Sequence, residues 1–144
     1  MLKKFEKNGI SIEINTLGAE LKSLVSGDVN YIWCSNPKFW DRSAPVLFPV
    51  VGKLKGLQTQ IEDKIYHIPQ HGFLRDLEFE LFEEKDNTIT FVNKYNDETL
   101  KMYPYKYQAF IRYTINLTEL KTEFIIKNIK LIRIIYKVYI IYQF

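Results

Sequence analysis

The chain has 144 residues, 47% of them apolar and 26% charged, which suits one soluble domain with a buried core. Its formal charge of +3 is concentrated late: residues 121–144 carry five cations against Glu123, and the first 120 residues hold one acid more than bases. No clustered basic face follows from this, so nucleic acid is excluded as the expected partner. Cys34 is the only cysteine, which rules out an intramolecular disulfide, and the opening Met1-Leu-Lys-Lys-Phe-Glu-Lys-Asn-Gly9 has no apolar run of signal-peptide length. A cytoplasmic protein without a membrane segment is expected.

Ile10-Ser-Ile-Glu-Ile-Asn15 alternates apolar and polar residues strictly, the pattern of a strand with one buried face, and Leu17-Gly18 breaks it. Residues 19–25 alternate less cleanly, and Ser26-Gly-Asp28 has the turn chemistry of a hairpin into Tyr31-Ile-Trp33. Between Trp33 and Arg42, Asn36-Pro37 favours a turn flanked by Trp33 and Trp40, read either as a loop pinned by aromatic packing or as a pocket lining. The chain therefore opens as an antiparallel meander.

Two short blocks then collect most of the unusual residue choices. In Ala44-Pro-Val-Leu-Phe-Pro-Val-Val-Gly-Lys-Leu-Lys55 an apolar, strand-like run sits between prolines and a glycine, and Lys53 follows Gly52, where a backbone without a Cβ can bend and aim a cation. In Pro69-Gln-His-Gly-Phe-Leu-Arg-Asp76 the histidine stands between a Pro-Gln and a Gly-Phe, restricted on one side and free on the other. Residues 58–61 and 65–68 read as a hairpin between the blocks, closed by Glu62-Asp-Lys64.

After the second block, residues 78–82 and 88–92 read as a strand pair, and residues 100–103 and 107–115 as another. In the last of these, the odd positions form one apolar face. Residues 122–128 read as the final clear strand. No stretch shows a helical period with caps, so the expected class is all-β. Residues 131–144 hold five Ile and three Tyr with no Gly, Pro, Asp or Asn. Such a segment is strand-prone, too short to span a bilayer, and in need of burial by something.

His67 and His71 are four apart with Glu62 and Asp63 near, but on a strand and loop that spacing does not set both rings on one face, so no metal site is expected. Ser43, His71 and Asp76 lack the context of a nucleophilic triad. By themselves, Arg75 and Asp76 fit a surface ion pair, and His71 fits a ring that caps loop backbone.

At Gly18-Ala-Glu-Leu-Lys-Ser-Leu24, Tyr31-Ile-Trp33, Pro37-Lys-Phe-Trp40, the run from Ala44 to Gly52, and His71-Gly-Phe-Leu-Arg-Asp76, the sequence resembles the aldose 1-epimerase (galactose mutarotase-like) family, in the bacterial branch related to hexose-6-phosphate mutarotases. The likeness runs in order to about Asn128. It implies a large antiparallel β-sandwich that interconverts the α and β anomers of aldoses without a cofactor. A carboxylate base takes the anomeric proton and a histidine acid protonates the ring oxygen.

The resemblance makes His71 the first of two active-site histidines, an auxiliary catalytic group that binds sugar near the ring oxygen. Gly72, Phe73 and Arg75 then fall at the substrate, a sugar or sugar phosphate, and Lys53 stands where relatives usually carry a sugar-gripping arginine. The acid histidine, in a Gly-His-Pro segment, and the later glutamate base match nothing from Lys130 onward. The expectation is therefore residues 1–129 as the N-terminal part of a mutarotase-like sandwich and 130–144 as an Ile/Tyr-rich tail outside the family, read as a frameshift product. Such a chain would be impaired in catalysis, or a non-catalytic sugar-binding unit that self-associates through exposed strand edges.

Overall fold

The computed structural model describes residues 1–130 and 133–143, with residues 133–136 described by their backbone alone. The alternating isoleucines form β2 (Ile10–Asn15), whose Ile10, Ile12 and Ile14 are buried while Ser11, Glu13 and Asn15 are half-exposed. It pairs antiparallel with β1 (Leu2–Lys7) on one side and β3 (Glu20–Ser26) on the other, and β4 (Val29–Asn30) completes a four-stranded sheet in chain order. Nothing in the sequence reading marked β1, because Lys3, Lys4, Glu6 and Lys7 surround its one buried side chain, Phe5. Pairing with β2 supplies what its own pattern lacks.

The expected strand at Tyr31-Ile-Trp33 is not formed. The Asn30 side-chain oxygen accepts from the N–H groups of both Leu24 and Ile32 at 3.1 Å, so a side chain replaces the ladder and turns the chain after two paired residues.

The second sheet has the order β11-β10-β9-β8-β7 and is antiparallel throughout. It comprises β7 (Glu80–Lys85), β8 (Thr88–Lys94), β9 (Tyr107–Ile115), β10 (Glu119–Asn128) and β11 (Arg133–Gln143). On β9 the odd positions Tyr107, Ala109, Ile111, Tyr113 and Ile115 are all buried, and they join Ile12, Ile14, Leu21 and Leu24 of the first sheet in one core. The Tyr113 hydroxyl crosses that core to donate to the Ala19 carbonyl at 2.7 Å. The expected all-β antiparallel class holds.

One helix corrects the reading of the sequence. Residues 97–102 form α1 (Asp97–Met102), so the strand expected at 100–103 is the end of a helix. Asn96 Oδ1 accepts from the Thr99 N–H and Thr99 Oγ1 accepts from the Asn96 N–H, both at 2.9 Å, a reciprocal cap that sustains a helix of less than two turns. A separate hairpin joins β5 (Gln58–Ile61) to β6 (Lys64–His67), close to its expected bounds. Among the described residues no helix is long and apolar enough to cross a membrane.

Candidate functional site

The two blocks that stood out in the sequence meet in space, although neither is a strand. Pro45 and Pro49 have no N–H to offer, so the first block runs past the sheet as irregular backbone; the Phe48–Pro49 peptide is cis. Its ladder is a single parallel bridge from Phe48 to Gly72. The Phe48 carbonyl accepts the Phe73 N–H at 2.9 Å. Farther along, the His71 N–H donates to the Gly52 carbonyl at 2.8 Å and the Gly52 N–H donates back to His71 Nδ1 at 3.0 Å.

This second pair of bonds fixes the imidazole. With Nδ1 accepting from a backbone N–H, the neutral ring carries its proton on Nε2; the Gln70 amide nitrogen 3.3 Å away is itself a donor and so makes no hydrogen bond to it. His71 and Gly72 both have left-handed backbone, with φ of 67° and 74°. Gly72 needs its hydrogen: a Cβ there would overlap the Phe48 carbonyl.

Each residue singled out from sequence has a definite place. Lys53 leaves the clasp from Gly52 as an exposed ammonium. His71 is half-buried and Gly72 buried. Phe73 is buried, its ring tilted 37° to that of Tyr107 with centroids 6.0 Å apart and edge-on to Phe48, so its ring belongs to the core and its backbone to the loop. Arg75 Nη2 donates to the Gln70 carbonyl at 3.0 Å, closing the loop that presents His71, and Nε lies 3.5 Å from Asp76 Oδ2. His67 is exposed on β6, and no group of three or more His, Cys, Asp or Glu among the described residues is gathered as a metal site.

The bracing of this loop was not foreseen. Arg42, read only as part of a loop, donates to the Arg75 carbonyl at 3.2 Å and pairs with Asp76. Gly18 packs against the Arg75 backbone, where a Cβ would approach the carbonyl oxygen to 2.8 Å. The buried Glu20 accepts from the Ser43 and Ala44 N–H groups and holds the start of the first block. Such long-range ties have no local signal beyond the odd presence of an acid at an inward position of β3.

Behind the loops stands an aromatic cluster. Phe48 meets Tyr103 at 5.3 Å and Tyr107 at 5.7 Å between centroids, and Tyr103 meets Tyr105 at 5.1 Å. Burial pushes the Tyr103 hydroxyl upward, assisted by Tyr105, and pushes that of Tyr107 up to about 12 against a lowering contribution from Thr99. The Tyr107 hydroxyl donates to Asn93 Oδ1 at 2.9 Å. The Tyr103 and Tyr107 phenols are therefore neutral at ordinary pH.

A family model described as aldose 1-epimerase matches residues 2–137, which takes in the first part of the 130–144 segment. Protein LacX, chromosomal, of Lactococcus lactis is 34% identical over an alignment that covers 84% of this chain and 42% of that protein. The structure of a galactose mutarotase related enzyme from Lactobacillus acidophilus superposes with a TM-score of 0.85 at 39% identity, covering 89% of this chain and 43% of that one. A galactose mutarotase-like protein from Lactobacillus casei gives 0.84 at 34% identity, with 89% and 44% covered. The chain thus spans less than half the length of these relatives.

Proposed function

The chain belongs to the aldose 1-epimerase family, and from that membership we propose that residues 44–76 form one wall of a site for a hexose or hexose phosphate. The Gly52–His71 clasp carries this reading. It leaves the Nε2–H of a neutral imidazole as a donor for a sugar ring oxygen, held by a loop that Arg75 and Arg42 brace. Lys53 beside it supplies a charged donor for sugar hydroxyls or a phosphate, as a point charge without the two-pronged geometry of arginine.

Anomer exchange needs a base on the anomeric hydroxyl and an acid on the ring oxygen. The family resemblance gives these roles to a second histidine and a glutamate in segments that these 144 residues do not match, and the only histidines here are His67 and His71. The chain by itself is therefore a sugar-binding unit impaired in exchange, because binding contacts equal in ground and transition states do not speed the chemical step. No cofactor enters this chemistry, and a reducing cytoplasmic setting fits the single, exposed Cys34. Self-association through strand edges completes the reading, the residues from Val138 to Gln143 on the outer strand β11 carrying no charge.

Polarimetry of freshly dissolved α-glucose, run beside saturation-transfer NMR of hexose binding, tests it. The expected result is binding with mutarotation at the rate of buffer. Acceleration by the purified chain would overturn the impairment, and absence of binding by glucose and glucose 6-phosphate would overturn the site.

A further inference from the structure

We propose that Asp76 is a positioning residue of this site: its carboxylate, shared between Arg42 and Arg75, keeps the His71 ring in the Nε2–H tautomer. This rests on the reading of residues 44–76 as the wall of a sugar site, and it adds to that wall a residue that acts through His71.

The loop is anchored unevenly. Its later half is held by the core: Phe73 and Leu74 are buried, and the Phe73 N–H donates to the Phe48 carbonyl at 2.9 Å. Its earlier half is not, because Gln70 is exposed and His71 only half-buried. His71 moreover sits in left-handed backbone, which a residue with a Cβ adopts only where its surroundings impose it. A backbone bond crosses from the Gly72 N–H to the Pro69 carbonyl at 2.9 Å, and a side-chain bond crosses from Arg75 Nη2 to the Gln70 carbonyl at 3.0 Å. The second needs a long side chain kept in one place.

Asp76 is what keeps it there. Arg75 Nε is shut off from solvent, makes no hydrogen bond, and faces Asp76 Oδ2 at 3.5 Å. Asp76 Oδ1 accepts from Arg42 Nη2, while Arg42 Nη1 donates to the Arg75 carbonyl at 3.2 Å. Ion pairs at a half-exposed carboxylate ordinarily contribute little. This one differs because a guanidinium nitrogen in it is enclosed: without the carboxylate, the N–H of a permanent cation would face no counter-charge, and the side chain would swing toward water.

That swing takes Nη2 away from Gln70. The segment carrying His71 then loses its tie to the anchored half, and the Gly52 N–H loses Nδ1 as a fixed acceptor. An imidazole released in this way exchanges its proton between both nitrogens, so the donor meant for a sugar ring oxygen is there only part of the time.

The two histidines of the chain make the test direct, since the exposed His67 on β6 serves as the internal reference. Nitrogen-15 NMR of the rings at about pH 8, above the ordinary imidazole range, should show His71 held as Nε2–H and His67 averaged. In Asp76→Asn, His71 should move to the averaged pattern with His67 unchanged, and the Gly52 amide should exchange about tenfold faster, the equivalent of one lost hydrogen bond. Glu78→Gln, which removes a neighbouring exposed acid, should change neither. A folded Asp76→Asn whose His71 stays held would overturn the proposal, as would one in which His67 shifts equally, the mark of general loosening.

Far-UV circular dichroism checks folding. If Asp76→Asn does not fold, the Arg75 Nε–H signal of the unaltered chain decides: slow exchange is expected of an enclosed group, and exchange as fast as that of free arginine would overturn the proposal. None of these spectra needs a sugar. Glucose titration is a separate arm, in which affinity about tenfold lower in Asp76→Asn is expected and equal affinity would overturn the proposal. Absence of glucose binding by the unaltered chain would remove the sugar site, and the ring nitrogens would then decide the positioning of His71 alone.

Discussion

Gly52 and His71, nineteen residues apart, hold each other twice: the His71 N–H donates to the Gly52 carbonyl, and the Gly52 N–H donates to His71 Nδ1. One bond aligns two irregular segments and the other sets the tautomer of the ring that one of them presents.

If that ring binds sugar, His71→Asn should separate binding from folding. Asparagine tolerates the left-handed backbone at this position, so the melting temperature should move by only a few degrees, which corresponds to about 1 kcal/mol. Hexose binding, followed by NMR titration, should weaken about tenfold or more. Lys53→Arg should strengthen it, because a planar fork replaces a point donor. Unchanged affinity in both variants would remove these residues from the site.

Gly72→Ala should be among the most damaging small substitutions in the chain. It adds a Cβ onto the Phe48 carbonyl at a backbone φ of 74°, and either the bridge or the loop must give way. A loss above about 2 kcal/mol is expected by urea denaturation. Gly27→Ala, also at positive φ but with open space around the new methyl, should lose only about 1 kcal/mol. Equal effects at the two sites would refute the close-approach argument.

Asn96→Ala removes the acceptor of the Thr99 N–H and should lower stability by about 1 kcal/mol, with Asn96→Ser recovering most of it. Hydrogen exchange of the Thr99 amide gives the local readout: faster in the alanine variant if the cap holds the turn, unchanged if it does not.

Alkaline pH should unfold the protein through its buried phenols. Tyr107 is neutral when protonated and its folded pKa is raised from 10.0 to about 12, so the folded state keeps a proton that the unfolded chain releases. Its contribution is complete below pH 10 and is lost as pH rises through 12. The fully buried Tyr113, raised further by burial with Tyr142 and Glu20 adding to it, acts in the same direction. Denaturation midpoints measured from pH 8 upward should fall beyond about 10, and Tyr107→Phe should flatten that fall. Phenolate absorbance from all ten tyrosines near pH 10, without unfolding, would contradict it.

Much of the architecture was legible because it is local. Ile10, Ile12 and Ile14, and the odd positions of β9, declare a strand with one buried face whatever surrounds them, since successive side chains point to opposite sides. The hairpin of β5 and β6 was readable from its turn. The errors fell where a short-range competitor outweighed pattern: Asn30 capping two backbone donors in place of a strand at 31–33, and the Asn96–Thr99 cap making a helix of a segment read as strand.

The candidate site divides in the same way. Sequence alone determined the family and the residues that stand out, because glycine, proline and histidine in fixed order record where backbone must bend and where a ring is wanted. Only the tertiary structure decided what those residues do to one another. It joined Gly52 to His71, closed the loop with Arg75 and Arg42, drew Phe73 into the core, and paired β11 along β10. These are contacts between segments distant in the chain. Their free energy depends on which surfaces the fold brings together, and no single segment encodes it.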